Sequence, residues 1–189
     1  MPRSLEDLAW PLVTPRLSIR RVTSGDAAAM WSYRRLPEVH RWLPSAPADQ
    51  AAFAALLAEP VRQERTLVVA VGDAIVGDLY LSVNDSWAMA EAPGRAEARD
   101  AEIGWAFDIA AQGRGLATEA VRALLARCFE ELGVHRVTAV TFADNVASWR
   151  LMERVGMRRE TAARRDALHR DGRWYDSLGY ALLADEWPP

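Results

Sequence analysis

The sequence predicts an α/β domain built around one mixed sheet. Two β-rich runs meet at Gly72-Asp73, a strand–helix–strand unit covers residues 101–142, and a strand pair flanks Arg170-Asp171-Gly172. A Gly-Asp pair between β-rich runs is a hairpin signal. A strand, a crossover helix and a second strand form a right-handed parallel unit. The element order β-α-α-β-β-β-α-β-α-β-β therefore combines parallel and antiparallel strands, and 189 residues suggest one domain over 1–189.

The first third of the chain carries one predicted strand and two predicted helices. Residues 12–22 alternate in polarity and predict the first strand. Ser24 or Asp26 offers N-cap chemistry for a helix that Pro37 ends, and Asp49 starts a second helix.

The middle of the chain contains the parallel unit. Residues 66–71 and 74–83 form the predicted hairpin, and the Ala-, Glu- and Arg-rich residues 84–99 form a long loop of open role. Residues 101–109 and 136–142 are the two strands of the unit. Between them, apolar residues recur on one helical face. They are Leu116, Ala120, Val121, Leu124, Leu125, Cys128, Phe129 and Leu132, and Gly133 ends the helix.

The last third predicts one helix and two strands. Asp144 or Asn145 caps a helix that ends at Gly156. Residues 157–165 predict a strand or extended edge, and residues 174–183 predict the last strand.

The turn between the predicted strand and helix of the parallel unit is the main functional signal. Gln112-Gly113-Arg114-Gly115-Leu116-Ala117-Thr118 places two glycines directly before a helix. Glycine permits tight turns and close backbone approach, and the first N–H groups of a helix have no intrahelical partner. The pattern suits a pyrophosphate at the positive end of the helix dipole. The alternative is a tight turn that binds nothing.

Composition and charge exclude several classes of protein. The net charge is −3 with a pI of about 5.7, which does not suggest a general nucleic-acid binder. The sequence contains no run of 18 apolar residues, so it predicts no membrane span. The first seven residues carry acids where a signal peptide needs a basic end, and Cys128 is the single cysteine. We therefore expect a cytoplasmic protein without disulfides, and the scattered histidines predict no metal site.

A dinucleotide-dependent oxidoreductase is a competing interpretation. Gly113-x-Gly115 after a strand, with Asp144 following the next strand, matches part of the dinucleotide-binding fingerprint. Thr118 stands where the third glycine is needed, and a single βαβ unit is visible. A non-enzymatic domain that senses an acyl-CoA is a second alternative.

Four stretches together point to a family. They are Gln112-x-x-Gly115-x-Ala117, Thr14-Pro15-Arg16-Leu17, Asn145-Val146-Ala147-Ser148 with Glu153-Arg154-Val155-Gly156-Met157, and Asp171-Gly172-Arg173-Trp174-Tyr175-Asp176-Ser177. In this order and spacing, over about residues 12–187, they resemble the GNAT superfamily of acyl-CoA N-acyltransferases. The closer resemblance is to its RimJ/RimL branch, which acetylates protein N-termini. The resemblance implies a mostly antiparallel seven-stranded sheet flanked by helices, with its parallel pair within 101–142.

The same resemblance implies a set of residues that bind acetyl-CoA as co-substrate, without a metal. Backbone groups of the strand end would pair with the pantetheine arm, as an added strand does. The amides of the glycine turn would hold the pyrophosphate, and Asn145 would lie near the arm. The implied residues are Phe107, Asp108, Ile109, Gln112, Gly113, Arg114, Gly115, Leu116, Ala117, Thr118 and Asn145.

The resemblance implies transfer of an acetyl group from acetyl-CoA to a primary amine, and this reaction needs groups that move protons. A free amine of pKa near 10 is mostly protonated at neutral pH, and a carboxylate can take its proton directly or through water. Glu102 on the central strand is our candidate base, with Asp100 second; an ordinary strand acid is the alternative role for either. Ser148 is the candidate that protonates the departing thiolate, with Tyr180 second, and local helix-start roles remain open for Ser148 and Asn145.

The acceptor site is the least readable part of the sequence. By analogy with the family, Trp31, Trp42, Trp87 and Tyr175 would rim it, although core packing is an alternative for each. A protein N-terminal amine and a small amine, such as an aminoglycoside, a polyamine or an amino-acid derivative, both remain open as acceptors. A homodimer is an expectation from the family alone.

Overall fold

The computed structural model describes Leu5 and residues 8–188. The strands are β1 Leu12–Val13, β2 Ser18–Arg21, β3 Thr66–Val71, β4 Ala74–Asn84, β5 Asp100–Phe107, β6 Arg136–Phe142, β7 Arg158–Leu168 and β8 Trp174–Leu183. The helices are α1 Ala27–Arg34, α2 Pro37–His40, α3 Gln50–Leu57, α4 Pro60–Arg65, α5 Leu116–Ala126 and α6 Val146–Arg154. The strands form one sheet in the order β1-β2-β3-β4-β5-β6-β8-β7. The predicted mixed and mostly antiparallel α/β architecture is confirmed.

The chain divides into two compact units. The N-terminal unit comprises Leu5–Ser82 and Gly104–Ala123, and the C-terminal unit comprises Val83–Ile103 and residues 124–188. Strand β5 and helix α5 each contribute residues to both units. The assignment of 1–189 to one domain stays a prediction.

The predicted first strand over 12–22 was wrong in one respect, because it folds as two antiparallel strands. Leu12 pairs with Ile19, and the chain reverses through Thr14–Leu17, where the Thr14 N–H donates to the Leu17 carbonyl at 2.9 Å. Pro15 has no N–H to offer a ladder, which favours the turn. This extra hairpin gives the sheet eight strands instead of the expected seven.

Proline and acidic residues set the helix boundaries of the N-terminal unit. Helix α1 ends at Arg34, and Pro37 begins α2 instead of ending the preceding helix; proline suits the first helical position because its missing N–H needs no partner there. Asp49 caps α3 as predicted, accepting from the Ala52 N–H at 2.8 Å.

Asp26 closes a small polar cluster before α1. Its carboxylate accepts from Arg20 at 2.7 and 2.8 Å and from the Thr23 N–H at 2.7 Å, and the residue is 7% exposed. Thr23 is the N-cap of the 3₁₀ turn Ser24–Asp26, whereas the N-cap residue of α1 is Asp26, one of the two residues that the sequence offered, although its side chain makes no capping hydrogen bond to α1. The Arg20 hydrogen bonds, opposed by burial and helped by Thr23, lower the pKa of Asp26 from 3.8 to about 2.

The pKa of Asp26 predicts how stability depends on pH. Because the folded pKa lies below the unfolded one, the stabilisation is fully present above about pH 4 and is lost as the pH falls toward 2. We expect Asp26→Asn to cost about 2 kcal/mol at pH 7 and the deficit to shrink steadily below pH 4. Urea denaturation of both proteins between pH 2 and 7 measures this; a deficit independent of pH would contradict it.

The C-terminal unit contains the parallel pair. Strands β5 and β6 pair in parallel from Asp100↔Arg136 to Glu102↔Thr138, which confirms the predicted unit. Strand β6 continues to Phe142 beside β8, whereas its described pairing with β5 stops after these three residue pairs. Helix α6 packs against β6, β7 and β8.

Seven of the eight residues of the predicted apolar stripe are buried, and Phe129 is half-buried. Within the C-terminal unit Leu124, Leu125 and Cys128 are fully buried, and the helix continues from α5 into a π-helical turn at Arg127–Glu131. Burial raises the pKa of the Cys128 thiol to about 12. A thiol with this pKa is a core group and not a nucleophile.

The predictions about targeting and metal binding can be compared with the described part of the chain. Apart from Leu5, the first seven residues, on which the prediction about a signal peptide rests, lie outside that part. Within the described part, every helix is too short or too polar to cross a bilayer. The same part of the chain contains no group of three or more His, Cys, Asp or Glu side chains arranged to hold a metal ion.

Candidate active site

The segment between β5 and α5 is shaped by its own side chains. Asp108 caps a short 3₁₀ turn, Ile109–Ala111, by accepting from the Ala110 N–H at 3.0 Å. Gln112 then bonds back to the strand, since its side-chain amide donates to the Phe107 carbonyl at 3.2 Å. The glutamine of the signature sequence therefore fixes how the chain leaves the strand.

Gly113 and Gly115 allow the turn that starts α5. Their φ angles are +72° and +76°, in the left-handed region that favours glycine. The first described helical bond runs from the Glu119 N–H to the Gly115 carbonyl at 3.1 Å. Among the described hydrogen bonds, the amides of residues 113–117 donate to no backbone carbonyl. The structure thus contains the bare amides that the sequence predicted, at the positive end of an 11-residue helix.

Two side chains of the β1–β2 hairpin and one side chain of α5 brace this turn. The Arg16 Nη1 donates to the Arg114 carbonyl at 2.9 Å, and its Nε donates to the Glu119 carboxylate at 2.6 Å. The Thr14 hydroxyl donates to the other Glu119 oxygen at 2.6 Å. These bonds, Thr14 first and opposed by burial, lower the pKa of Glu119. We call Thr14, Arg16 and Glu119 the clasp.

The predicted pantetheine-binding backbone is partly engaged within the N-terminal unit. The Asp108 N–H donates to the Val76 carbonyl at 2.9 Å, and the Ile109 carbonyl accepts from the Gln112 N–H at 3.1 Å. The Phe107 carbonyl keeps one lone pair after accepting from Gln112. Which of these groups bind the arm stays a prediction.

The candidate bases lie on β5 in the C-terminal unit. Glu102 is exposed and stands at the last residue pair of the parallel ladder, opposite Thr138. Asp100 is half-buried and accepts from the Ser86 hydroxyl at 2.7 Å. The side chain of Glu102 has no described hydrogen bond or ion pair, so its carboxylate is more available than that of Asp100 to accept a proton.

Asn145 and Ser148 lie at the start of α6 in the same unit. Asn145 is the N-cap residue, but its side chain makes no capping hydrogen bond. The Ser148 N–H donates to the Asn145 carbonyl at 3.1 Å, and the side chain of Ser148 is half-buried. Tyr180, the second candidate acid, is buried and donates to Glu153 at 3.0 Å; burial first, and then this hydrogen bond, raise the pKa of its hydroxyl.

The four aromatic residues predicted to contact the acceptor are divided between the two units. In the N-terminal unit, Trp31 stacks on Phe53 with ring centroids 5.8 Å apart, and Trp42 lies under the Arg41 guanidinium. In the C-terminal unit, Trp87 is 88% exposed in the 84–99 loop. Tyr175 packs edge-on against Phe142 and His169, and donates to Asp171 at 2.9 Å.

A pocket of about 400 Å³ in the N-terminal unit contains one of these aromatic residues. It is lined by Trp31, Arg34, Arg35, His40, Ala46, Pro47, Ala48, Asp49 and Gln50. The sequence indicated Trp31 and Asp49 separately, and the fold brings them together. Trp42 does not line this pocket.

Sequence reasoning missed a buried ion pair beside the pocket. Arg34 donates to Asp78 at 2.5 and 2.9 Å, and the Tyr33 hydroxyl donates to the same carboxylate at 2.7 Å. Asp78 is 2% exposed. Burial lowers the pKa of Arg34, but the adjacent carboxylate outweighs it and the net pKa is raised. Because 44 residues separate the charges, no local pattern signals the pair.

Comparisons with known proteins agree with this architecture. The model of the acetyltransferase (GNAT) domain matches residues 16–158. The uncharacterized N-acetyltransferase YnaD of Bacillus subtilis (strain 168) is 38% identical over 86 residues, 46% of this chain and 50% of the relative. The [ribosomal protein uS5]-alanine N-acetyltransferase of Escherichia coli (strain K12) is 32% identical over 87 residues, 46% of this chain and 44% of that protein. The chain thus matches about half the length of each of these curated relatives.

A solved structure extends the similarity over most of the chain. The structure of Mycobacterium smegmatis RimJ in complex with CoA-disulfide matches with a TM-score of 0.73 and 26% identity, covering 95% of this chain and 86% of that chain. The dinucleotide-dependent oxidoreductase alternative loses its support, because its fold needs a largely parallel sheet whereas one parallel pair is described here. The family model covers more than half of the sequence, so the chain belongs to the acetyltransferase (GNAT) domain family.

Proposed function

We propose that the protein transfers an acetyl group from acetyl-CoA to a primary amine by direct attack in a ternary complex. The observation that carries the proposal is the glycine turn at residues 113–117. Its bare amides lie at the N-terminus of α5, within the residues matched by the family model. Backbone N–H groups at a helix start favour a pyrophosphate through both hydrogen bonds and the helix dipole.

Each part of acetyl-CoA has a proposed set of partners. The pyrophosphate takes the amides from Gly113 to Thr118 and the Arg114 side chain. The pantetheine arm takes free backbone groups of residues 107–109 and the Asn145 side chain.

Glu102 is the proposed base. An amine attacks a thioester only in its neutral form, and Glu102 is exposed and without a described partner, so its carboxylate is available to take the proton directly or through water. The proton leaves the amine nitrogen as the new N–C bond forms. The negative charge on the thioester oxygen is then stabilised by a backbone N–H near residues 105–107.

Ser148 is the proposed acid, and its replacement is a direct test. When the tetrahedral intermediate collapses, the C–S bond breaks, and the Ser148 hydroxyl donates a hydrogen bond to the departing thiolate of CoA and passes it a proton, which Ser148 regains from water. We expect Ser148→Ala to lower kcat by tenfold or more, about 1.4 kcal/mol. The measurement is the steady-state rate of thiol release. A smaller loss would remove Ser148 from this role.

The acceptor is proposed to be the N-terminal amine of a protein. The relative named for acetylation of ribosomal protein uS5 and the match to RimJ support this class. The pocket at Trp31 offers an apolar ring and the Asp49 carboxylate for the first residues of a peptide. A small amine is the second candidate, and the 400 Å³ volume would also accommodate one.

A thiol-release assay tests the whole proposal. Purified protein is incubated with acetyl-CoA and a panel of peptides with free N-termini, matched peptides with blocked N-termini, polyamines and aminoglycosides. We expect amine-dependent release of CoA that requires the free peptide N-terminus. Turnover of small amines alone would move the assignment to the second candidate, and CoA binding without any turnover would favour a sensor domain.

A further inference from the structure

We infer that the clasp, Thr14–Arg16–Glu119, orients the anion-binding turn. It thereby strengthens the binding of a co-substrate that carries a pyrophosphate and leaves the binding of one without it unchanged. The inference rests on the proposed function, because it concerns the affinity of the same turn for CoA. It assigns positioning roles to three residues, two of which belong to the β1–β2 hairpin and lie 105 and 103 positions before Glu119.

The clasp acts on the turn through the carbonyl of Arg114. Arg16 Nη1 holds this oxygen at 2.9 Å, on the side of the turn that faces the hairpin. The C=O and N–H of a trans peptide unit point in opposite directions. Holding the Arg114 carbonyl toward Arg16 therefore aims the N–H of Gly115 away from the hairpin.

Glycine makes this external support necessary. Gly115, with a φ angle of +76°, follows the Arg114–Gly115 peptide directly, and its missing side chain lets that peptide rotate with little steric resistance. Without Arg16, the Arg114–Gly115 peptide would sample several orientations, and binding would have to select one of them. A bond that fixes the peptide beforehand removes that cost.

Glu119 and Thr14 hold Arg16 in place. Glu119 accepts from the Arg16 Nε at 2.6 Å and from the Arg16 N–H at 3.1 Å, while Thr14 donates to the same carboxylate at 2.6 Å. The guanidinium of Arg16 thus donates from two sides, through Nε to the Glu119 carboxylate and through Nη1 to the Arg114 carbonyl. Arg16 also neutralises an acid located one turn into a helix that is proposed to bind an anion.

The test compares two acetyl donors. Acetyl-CoA carries the pyrophosphate, and S-acetylpantetheine lacks it. For Arg16→Met we expect the KM for acetyl-CoA and the Kd for CoA to rise about tenfold, with kcat and the amine KM changed less than twofold. The kcat/KM with S-acetylpantetheine should stay within twofold of the wild type, because that donor does not use the turn.

Related variants separate positioning from general damage. Glu119→Gln and Thr14→Val should raise the Kd for CoA by about fivefold and about twofold, and Arg16→Met with Glu119→Gln should be no worse than Arg16→Met alone. Arg16→Lys keeps the charge but lacks the planar fork, so it should recover only part of the affinity. Arg127→Gln, which breaks another Arg–Glu pair at Glu131, is the matched control and should leave both donors unaffected.

The outcomes distinguish the two proposals. Equal losses with both donors would assign the clasp to general stability, and an unchanged Kd for CoA in Arg16→Met would also overturn the inference. If the wild-type protein binds no CoA by calorimetry, the proposed function and the clasp both fail. Should Arg16→Met not fold, Arg16→Lys and Thr14→Val carry the same comparison.

Discussion

Replacing Glu102 with Gln is expected to lower kcat/KM for amine acetylation by about 10²- to 10⁴-fold at pH 7, the range measured for loss of a general base. Glutamine keeps the shape of the side chain but cannot take a proton. Glu102 is exposed at the end of the parallel ladder, so the change should not affect folding. The measurement is the pH profile of kcat/KM between pH 6 and 9, with a peptide amine as acceptor.

The pH profile makes this prediction specific to proton removal. As the pH rises toward the amine pKa, more of the acceptor is already neutral and the base matters less. The deficit of Glu102→Gln should therefore shrink toward pH 9. Glu97→Gln, an exposed acid of the same unit, is the control and should match the wild type. If Glu102→Gln keeps the kcat/KM of the wild type across this pH range, Glu102 is not the base.

Replacing Arg34 with Met is expected to give the largest loss of stability, about 3–5 kcal/mol. The methionine leaves the Asp78 carboxylate buried at 2% exposure with one remaining donor, the Tyr33 hydroxyl. An uncompensated buried charge costs far more than a broken surface pair. Thermal unfolding should show a midpoint lower by roughly 6–20 °C for a chain of this length.

A second substitution identifies the cause of that loss. Adding Asp78→Asn to Arg34→Met removes the stranded charge, while the amide oxygen still accepts from Tyr33. We expect this double variant to be clearly more stable than Arg34→Met alone. Arg158→Met, which removes a surface guanidinium paired with Glu160 and Glu186, should change the midpoint much less. A double variant no better than the single one would show that packing, not charge, explains the loss.

Local signals made part of the site predictable. The turn at Gly113 and Gly115 was predicted correctly because glycine adopts positive φ angles without a steric cost, and this preference is visible in the sequence. The strand 174–183 and the Asp49 cap were also correct, since alternation and capping involve neighbours in the sequence. The first strand was misjudged because its alternation continued through Pro15, where the chain turns back.

The acceptor region could not be predicted to the same extent. The sequence offered Trp31, Trp42, Trp87 and Tyr175 as equals, and only Trp31 lines the described pocket in the N-terminal unit. A tryptophan in the sequence carries no local signal of what it will contact. Which aromatic rings meet a ligand depends on elements that come together only in the folded chain.

The sequence by itself determined most of the strands and helices and the glycine turn before α5, because each depends on residues within a few positions of one another. The parallel crossover followed from the general rule for strand–helix–strand connections. Only the tertiary structure decided that Arg16 holds the Arg114 carbonyl and that Arg34 neutralises Asp78. These partners are 98 and 44 residues apart. Their pairing follows from strand register and burial, which arise when the whole sheet assembles and not from any local pattern.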